Sequence, residues 1–296
     1  MSLSQQNSGF TWKTRTLAMM YIGMHLLCFA AIWTGVSATS ILLCIGLFWL
    51  RMFGITAGHH RYFSHRTYKM GRLTQFAMAW LACSAAQKGV LWWAGNHRHH
   101  HKYSDMPEDP HSPVQHGFWQ SHVGWFLLET QWDDINPKML REFRKYPEII
   151  WLEKYHWVPV AALALLCTLI DGWTGFLVGF LWSTVILWHA TYTINSLAHV
   201  IGTRRYNTKD DSRNNWWLAL LTMGEGWHNN HHYYQSSTRQ GFFWWEVDAT
   251  YYILKMMSWV GLVWDLREPP AHILQPQHTT ASIHSQTATS TPLAHE

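Results

Sequence analysis

The sequence predicts an all-α integral membrane protein in which four transmembrane helices form two hairpins beneath a cytoplasmic helical cap. Charged residues make up only 14% of the 296-residue chain, whereas a soluble domain usually carries about 25%. The chain contains 21 Trp, a residue that is enriched where a membrane meets water. The mean hydropathy of −0.14 argues against a wholly embedded protein and predicts that a polar cap accompanies the spans.

The first hairpin is predicted from two apolar segments, residues 17–33 and 36–53, which follow a polar leader at residues 1–16. Each segment approaches the ~20 residues that a spanning helix needs. The break between them is too short for a loop domain, so the chain returns to the side from which it started. Basic residues flank both outer ends, which predicts that these ends lie in the cytoplasm. The first apolar run has no cleavage site after it, so no signal peptide is predicted.

The second hairpin is predicted at residues 157–171 and 173–194. The polar segments on either side of it, residues 54–156 and 195–267, form the predicted cap. Residues 268–296 are rich in Pro, Gln, Thr and Ser, which predicts a disordered tail.

Within the cap, residues 73–93 are moderately apolar and include Lys88. A charged residue is costly in the middle of a bilayer. We therefore expect a helix that lies in the membrane interface or dips into it, which leaves the polar segments on both sides of it in the cytoplasm.

Charge and cysteine content exclude two other classes of protein. The formal charge of +4 comes from dispersed basic residues without a nucleic-acid-binding motif, so nucleic acid is not an expected partner. The four cysteines lie in apolar runs without paired spacing, which predicts buried thiols rather than disulfides or thiolate ligands.

Histidines form three clusters, each next to an apolar or interfacial segment. The first lies in GITAGHHRYFSH, the second in NHRHHHKYSD and the third in GEGWHNNHH. A further histidine lies in NSLAH, together with Asn195, which is on the same helix face at a spacing of four. The predicted ligands are His60, His65, His97, His100, His101, His199, His228, His231 and His232.

This set of imidazoles indicates a metal centre with two ions. Residues at i, i+3 and i+4 share a helix face, so we expect each HxxHH cluster to direct three imidazoles at one point. Nine nitrogens are too many for one ion but suit two. Imidazole fits iron, copper, zinc or nickel, and an apolar setting favours two irons that activate O₂.

The remaining histidines are not expected to bind the metals. His59 and His99 break the spacing of their clusters. Structural or supporting roles are expected for His111, His116, His122, His156 and His189, and none for the histidines near the tail, which are His272, His278, His284 and His295.

At these motifs the chain resembles the membrane fatty acid desaturases, specifically their acyl-CoA delta-9, stearoyl-CoA desaturase-like branch. GITAGHHRYFSHRTYK, HRHHHKYSD with DPHSP, SHVGW, NSLAH and GEGWHNNHH carry the resemblance, which covers about residues 49–266. It implies that the nine histidines bind two irons and that Asn195 reaches one iron through water. It also implies a cytoplasmic cap and a bent apolar tunnel for the acyl chain.

The activity that the resemblance implies is the insertion of a cis double bond with O₂ and two electrons. A methylene C–H offers no handle for acid–base chemistry, and all methylenes are chemically alike, so geometry must select the bond. Gln87 and Trp93, before the second cluster, and Thr191 and Tyr192, before NSLAH, are candidate tunnel-wall residues. Ordinary packing is the alternative role for each.

One departure concerns the carrier of the acyl chain. In the animal acyl-CoA enzymes of this family an Arg-Asp pair before the second cluster helps to hold the CoA headgroup, whereas this chain has Gly95 and Asn96. Acyl-lipid and acyl-carrier-protein substrates are therefore alternatives to acyl-CoA. No cytochrome b5 domain is fused, so a separate donor, ferredoxin or a cytochrome b5-like protein, is expected. The compact chain suggests a bacterial inner-membrane enzyme with a cytoplasmic active site.

Two alternatives remain at this level. Hydroxylation, or conversion of an alkene to an alkyne, uses the same scaffold. A membrane metal-binding or transport protein belongs to a different class, and it predicts polar residues that line a path through the spans. The four apolar segments contain very few such residues.

Overall fold

Helices form most of the structure, a computed structural model that describes residues 12–128 and 140–275. The α-helices, numbered in chain order, are α1 Trp12–Cys28, α2 Ala31–Thr34, α3 Ala38–Phe53, α4 Arg72–Cys83, α5 Val90–Tyr103, α6 Pro113–His116, α7 Trp125–Leu128, α8 Arg141–Arg144, α9 Pro147–Lys154, α10 Trp157–Thr174, α11 Ser183–Asn195, α12 Trp216–Leu221, α13 His228–Tyr233, α14 Ala249–Trp259 and α15 Ala271–Leu274. The other elements are π-helices at Gly54–Ser64, Gln120–Gly124 and Gly175–Trp182, a 3₁₀ turn at Leu197–His199, and strands β1 Lys69–Met70 and β2 Val263–Trp264, which pair antiparallel.

Three helical stretches are long and apolar enough to cross a membrane: Thr14–Thr34, Ala38–Ser64 and Trp157–His199. Large apolar side chains on them face outward, as at Ile32 and Leu169, which are 74% and 75% exposed. Exposed apolar surface of this extent is stable in contact with lipid chains rather than with water. The structure therefore confirms a mainly helical protein of the membrane type.

The third stretch, 43 residues long, is broken at the predicted turn. Asp171 and Gly172 leave the helical conformation, and Gly172 has φ 57°, which glycine adopts without steric cost. The two arms pack against each other through a cluster that includes Cys167 and Phe180. A Cβ on Gly175 would lie 2.1 Å from the Cys167 carbonyl oxygen, so this close contact requires glycine.

The second stretch carries the chain from the apolar region into the cap without interruption. Helix α3 begins with a capping box, in which Ser37 and Ser40 each bond the other's backbone. The helix then widens into the π-helix Gly54–Ser64, which packs on α4. A Cβ on Gly58 would lie 3.1 Å from Met78 Cγ, so the small residue allows α4 to approach. The largest core cluster lies here and includes Phe53, Ala57, Phe63, Met78, Ala82 and Leu91.

The expectation of a single helix over residues 73–93 is wrong, because the chain forms two helices there, α4 and α5, with a break between them. Ala86 and Lys88 in the break have φ of 58° and 66°, a left-handed conformation that ends a helix. This segment is not among the described stretches that are long and apolar enough to span a membrane.

Both ends of the chain depart from the expected boundaries. Helix α1 begins at Trp12, inside the predicted leader 1–16. Part of the predicted tail is folded, since Ile273 of α15 packs against Tyr206 and Phe242. The polar composition of this segment gave no indication that Ile273 packs against the cap. The remainder of both predictions, residues 1–11 and 276–296, lies outside the described residues.

Candidate metal centre

The nine predicted ligand histidines lie in two groups. Within each group, one ring nitrogen of every residue lies within 4.8 Å of those of the others. The five-histidine group consists of His60, His65, His97, His101 and His231. The four-histidine group consists of His100, His199, His228 and His232.

The first cluster reaches the five-histidine group because its backbone is π-helical. In an α-helix, residues five apart point in clearly different directions, since a turn takes 3.6 residues. The wider i→i+5 pattern brings His60 and His65 to the same side. The backbone N–H of His65 donates to the His60 carbonyl at 3.2 Å, and the two ring centroids are 4.9 Å apart. Such π-helical segments are frequent at functional sites.

Each HxxHH cluster is divided between the two groups, so the expectation that it directs three imidazoles at one point is wrong. On α5, His97 and His101 join the five-histidine group while His100 joins the other. On α13, His228 and His232 join the four-histidine group while His231 joins the other. Successive helical residues point about 100° apart, as 3.6 residues per turn requires. The adjacent pair HH therefore contributes one histidine to each group.

The separation of the ring nitrogens fits metal coordination. In the five-histidine group, the Nε2 atoms are 2.8 Å apart for His65 and His97, 3.0 Å for His97 and His101, 2.9 Å for His101 and His231, and 3.0 Å for His231 and His60. Two nitrogens at right angles around one ion, with bonds of about 2.1 Å, lie about 3.0 Å apart. One bound ion would thus use lone pairs that otherwise face each other.

The four-histidine group shows the same convergence. The Nε2 atoms of His199 and His228 are 3.1 Å apart. The buried Nε2 of His232 has no hydrogen-bond partner among the described residues. A buried nitrogen without a partner is costly, and a metal ion would satisfy it. The nitrogen-only donor set suits a transition metal such as iron.

Carboxylates contact the Nδ1 atoms of three of the four histidines in the four-histidine group. Nδ1 of His100 lies 2.9 Å from Asp109, Nδ1 of His199 lies 2.9 Å from Asp105, and Nδ1 of His232 lies 2.8 Å from Asp210. Each carboxylate accepts the Nδ1 proton and so directs the Nε2 lone pair inward. Partners of this kind orient metal-binding histidines and raise their basicity.

These three aspartates were not predicted as functional residues. Asp105 lies inside the quoted motif HRHHHKYSD, and Asp109 begins DPHSP, so their positions were visible but their role was not. Asp210 lies in a loop without a motif. Chain folding alone brings it to His232, and the sequence offered no spacing signal for that contact.

The five-histidine group has one carboxylate contact within the described residues. Glu225 contacts Nδ1 of His60 and also pairs with Arg61 at 3.0 Å. Arg61 bonds Asp248 at 2.8 Å as well, so its charge is shared between two acids. On the other side, the Gln240 side-chain nitrogen lies 3.3 Å from Nδ1 of His60 and 3.5 Å from Nδ1 of His231.

Burial keeps most of these imidazoles neutral, which is the form that binds metals. It lowers the pKa of His65, His97, His101, His228 and His231 well below the usual value, and the charges of neighbouring histidines lower each pKa further. Burial also lowers the pKa of His232, to about 4.

The aspartates stay ionised despite their burial. Burial alone would raise the pKa of Asp105, but the hydrogen bond and charge of His199 outweigh it and lower that pKa to about 2. In the same way, the charge of His100 lowers the pKa of Asp109, and the hydrogen bond from His232 lowers the pKa of Asp210. The four-histidine group is therefore surrounded by fixed negative charge.

The candidate tunnel-wall residues lie in two places. The Trp93 ring stacks on His97 at 4.9 Å and lies 6.1 Å from His60, and its indole nitrogen donates to Gln87 at 3.3 Å. This pair therefore borders the five-histidine group. Tyr192 is buried and lies 5.7 Å from the His122 ring, and the Thr191 hydroxyl donates to its own helix at 2.8 Å.

Other histidines take places outside the two groups. His59 is buried and stacks on Trp93 at 5.3 Å, and His99 lies 2.9 Å from the Glu108 carbonyl. His111 lies beside His100, with ring centroids 4.4 Å apart. Asn195 is half-buried at the end of α11, and its carbonyl accepts from Ser121 at 2.8 Å.

Comparison with known proteins gives consistent matches over most of the chain. The family model described as fatty acid desaturase matches residues 37–264. An acyl-CoA C20 Delta5-desaturase of Anemone leveillei is 34% identical, covering 90% of this chain and 88% of that protein. An sn-1 stearoyl-lipid 9-desaturase of Anabaena variabilis is 34% identical, covering 84% and 92%. A hex-5-enoyl-acyl-carrier-protein acetylenase of Moorena producens is 35% identical, covering 82% and 81%.

Proposed function

The chain belongs to the fatty acid desaturase family, and from this premise we propose that it inserts a cis double bond, at the delta-9 position, into a saturated fatty acyl chain. Family membership makes it an oxidoreductase of fatty acyl chains and favours an enzyme over metal transport. The observation that carries the proposal is the convergence of nine imidazoles into two groups beside apolar helices. The delta-9 position is supported by relatives named as 9-desaturases of stearoyl and palmitoyl lipids.

The proposed cofactor is a pair of irons, one held by each histidine group, with Asn195 reaching the four-histidine side through water. When bound, the irons supply the activation of O₂ that an unreactive methylene requires. Each double bond consumes one O₂, two electrons and two protons, removes two hydrogens from adjacent methylenes and yields two water molecules. Asp105, Asp109, Asp210 and Glu225 hold the Nδ1 sides of their histidines, so the Nε2 lone pairs face inward.

We assign the choice of the two carbon atoms that form the double bond to the side chains packed around the five-histidine group. Trp93 is held by its stacking on His59 and His97 and by its bond to Gln87. A fixed indole next to two ligands presents a rigid apolar wall to an acyl chain. We propose that Gln87, Trp93, Thr191 and Tyr192 line a bent apolar tunnel.

The proposed topology has four spans in two hairpins, in a bacterial inner membrane, with the cap in the cytoplasm. It is supported by the break at Asp171 and Gly172, since a stretch of 43 residues is about twice the ~20 residues that cross a bilayer. The basic residues at the outer ends of the apolar segments support the orientation.

The proposed substrate is an acyl chain on lipid, acyl-carrier protein or CoA, and the proposed electron donor is a separate ferredoxin or cytochrome b5-like protein. Relatives are named for all three carriers. Gly95 and Asn96 supply no charge where the animal acyl-CoA enzymes of this family have an Arg-Asp pair, which favours a carrier other than CoA.

A second candidate is formation of an alkyne, or hydroxylation, at the same site. The 35% identical acetylenase favours the alkyne. Product analysis separates the candidates, because acetylenase activity requires an acyl chain that is already unsaturated.

The test is expression in a host that lacks desaturation, followed by localisation of double bonds in lipid, acyl-carrier-protein and CoA pools. We expect a cis delta-9 product, enriched first in the pool of the true carrier. A product with only hydroxyl groups, or no product when an electron donor is co-expressed, contradicts desaturation.

A further inference from the structure

The cap carries an exposed apolar surface beside the end of the third membrane stretch, which we call the interface patch. Its side chains come from the residues after that stretch, from α12 and from the loop before α14: Val200, Ile201, Trp216, Trp217, Leu220 and Trp245. Each of these residues is between 39% and 66% exposed. The rings of Trp216, Trp217 and Trp245 border one cleft of about 330 Å³, so they belong to a single surface. Clustered apolar surface of this kind marks a contact with another molecule or with a membrane.

Helix α12 has one buried face and one exposed face. Leu218 and Ala219 are buried, whereas Trp216, Trp217 and Leu220 are exposed. The first and last of these three residues are four apart, a spacing that places them on one side of a helix. A short helix with Trp and Leu on its outer face is suited to lie in a membrane interface.

Contacts with the second membrane stretch fix the level of α12 relative to the bilayer. The helix of that stretch begins at Ala38, and ~20 residues cross the hydrocarbon core, so the core ends near Ala57. The Thr250 and Thr56 hydroxyls are 2.7 Å apart. The backbone N–H of Thr250 also donates to the Met223 carbonyl at 3.0 Å, just after the end of α12. Helix α12 therefore ends where the hydrocarbon core meets the headgroups.

The interface patch is continuous with the lipid-facing surface of the third stretch. Helix α12 contacts α11, on which Ile186 is 50% exposed. The third stretch ends at His199, and Val200 and Ile201 follow it directly. The Asn215 side-chain nitrogen, next to α12, donates to the Ile201 carbonyl at 3.3 Å. The surface that faces lipid along α11 thus extends onto the cap.

The charges beside the patch favour headgroups over a charged soluble protein as its partner. Arg204 pairs with Asp211 at 3.3 Å, and Arg205 pairs with Glu246. Both cations are thereby neutralised, so the patch offers little electrostatic steering to a soluble protein. Trp rings, in contrast, are enriched at the level of the headgroups, where an apolar body and a polar N–H are both accommodated.

We propose that the interface patch lies in the headgroup layer, with Trp216 and Trp217 at the border of the hydrocarbon core. The inference goes beyond the proposed function, because it embeds part of the cap in the bilayer and does not depend on the reaction. Helix α12 leads through one turn to α13, whose histidines belong to both groups. The contact with lipid therefore holds both histidine groups at a fixed height above the bilayer.

A first test measures depth by fluorine NMR of the full chain labelled with fluorotryptophan, in lipid nanodiscs that hold one copy each. W216F, W217F and W264F assign the three signals. We expect a lipid with a nitroxide at its headgroup to broaden the Trp216 and Trp217 signals more than a water-soluble gadolinium chelate does. The opposite order for these two residues, or no broadening by either probe, overturns the proposal.

Trp264 is the matched control, since it is 45% exposed and Trp217 is 39% exposed. It lies on β2, opposite Lys69. Helix α4, about 18 Å long, leads from this sheet towards the membrane, where the Ser84 carbonyl accepts from Arg51 of the second stretch. The sheet therefore lies on the side of the cap away from the bilayer. Its Trp264 signal should be broadened more by the chelate than by the lipid nitroxide.

A second test uses the cost of a charge at the membrane. W217E and W217Q remove the same ring, but only W217E adds a charge, which is costly near the hydrocarbon core. At a pH where glutamate is ionised, W217E in nanodiscs should unfold several degrees below W217Q. W264E and W264Q, on the side away from the bilayer, should unfold at the same temperature. A W217E protein as stable as W217Q contradicts the proposal.

Failure of this proposal is distinguishable from failure of the proposed function, because neither test requires double-bond formation. If the protein forms double bonds while Trp216 and Trp217 respond mainly to the chelate, the interface patch alone is refuted. If the two signals respond to the lipid nitroxide and no double bond forms, the patch is supported and the proposed function fails.

Discussion

Both groups consist of histidines, but they differ in the side chains that contact the Nδ1 atoms of those histidines. In the four-histidine group, three of the four imidazoles have an aspartate at Nδ1. In the five-histidine group, the described residues supply one carboxylate, Glu225, which contacts one imidazole and shares its charge with Arg61, while Gln240 offers a neutral amide. The four-histidine group is therefore backed by fixed negative charge, whereas the five-histidine group has one more imidazole and a neutral amide.

The largest expected effect comes from removing a ligand of the five-histidine group. His231→Ala should abolish double-bond formation and remove about one iron per chain, because its Nε2 contacts those of His60 and His101. Product analysis and iron content check this. His99→Ala, on α5 but outside both groups, is the control. Retained double-bond formation in His231→Ala contradicts the ligand assignment.

A smaller but still large effect is expected from removing a charge behind the four-histidine group. Asp210→Asn keeps the size of the side chain that holds His232 but removes the charge, which should weaken metal binding by about 10–100-fold. Competition with a chelator measures the affinity. The control is Asp211→Asn, whose side chain pairs with Arg204 at the surface. Equal affinities for the two variants would refute the role of the aspartate.

Removing the amide behind the five-histidine group should cost less. Gln240→Leu loses a neutral partner that lies 3.3 Å from His60 and 3.5 Å from His231. A neutral hydrogen bond contributes about 1 kcal/mol, so metal affinity should fall by less than about tenfold. If Gln240→Leu weakens metal binding as much as Asp210→Asn does, the claimed difference between charged and neutral partners is contradicted.

The smallest effect concerns the order in which the unchanged protein loses its metals. The ion in the five-histidine group should leave first under a chelator, because less negative charge stabilises it. Two kinetic phases of release are expected, and His231→Ala should lack the faster one. Loss of the slower phase instead would reverse the assignment of the two groups.

The histidine spacing predicted which histidines come together but not their division into two groups. All nine predicted ligands lie in the two groups, because the clusters were recognisable in the sequence. That adjacent residues of each HH pair lie in different groups follows from helical geometry, which the pattern already contained. The π-helix at Gly54–Ser64 was not predictable, since His60 and His65 at a spacing of five do not share an α-helical face.

The carboxylates that contact the histidines could not be predicted from the sequence. Folding of the cap brings Asp210 to His232 and Glu225 to His60. No local spacing in the sequence predicts these contacts. The apolar stretches and the turn at Asp171 were predictable from composition, whereas the break between α4 and α5 depends on backbone conformations at Ala86 and Lys88.

The central claim is that two irons occupy the two histidine groups of the working enzyme. The most direct measurement is the iron content of protein purified under conditions that preserve double-bond formation, taken together with its specific activity. We expect about two irons per chain at full activity, and activity that falls in step with iron as it is removed. Full activity with one iron or fewer per chain would contradict the account.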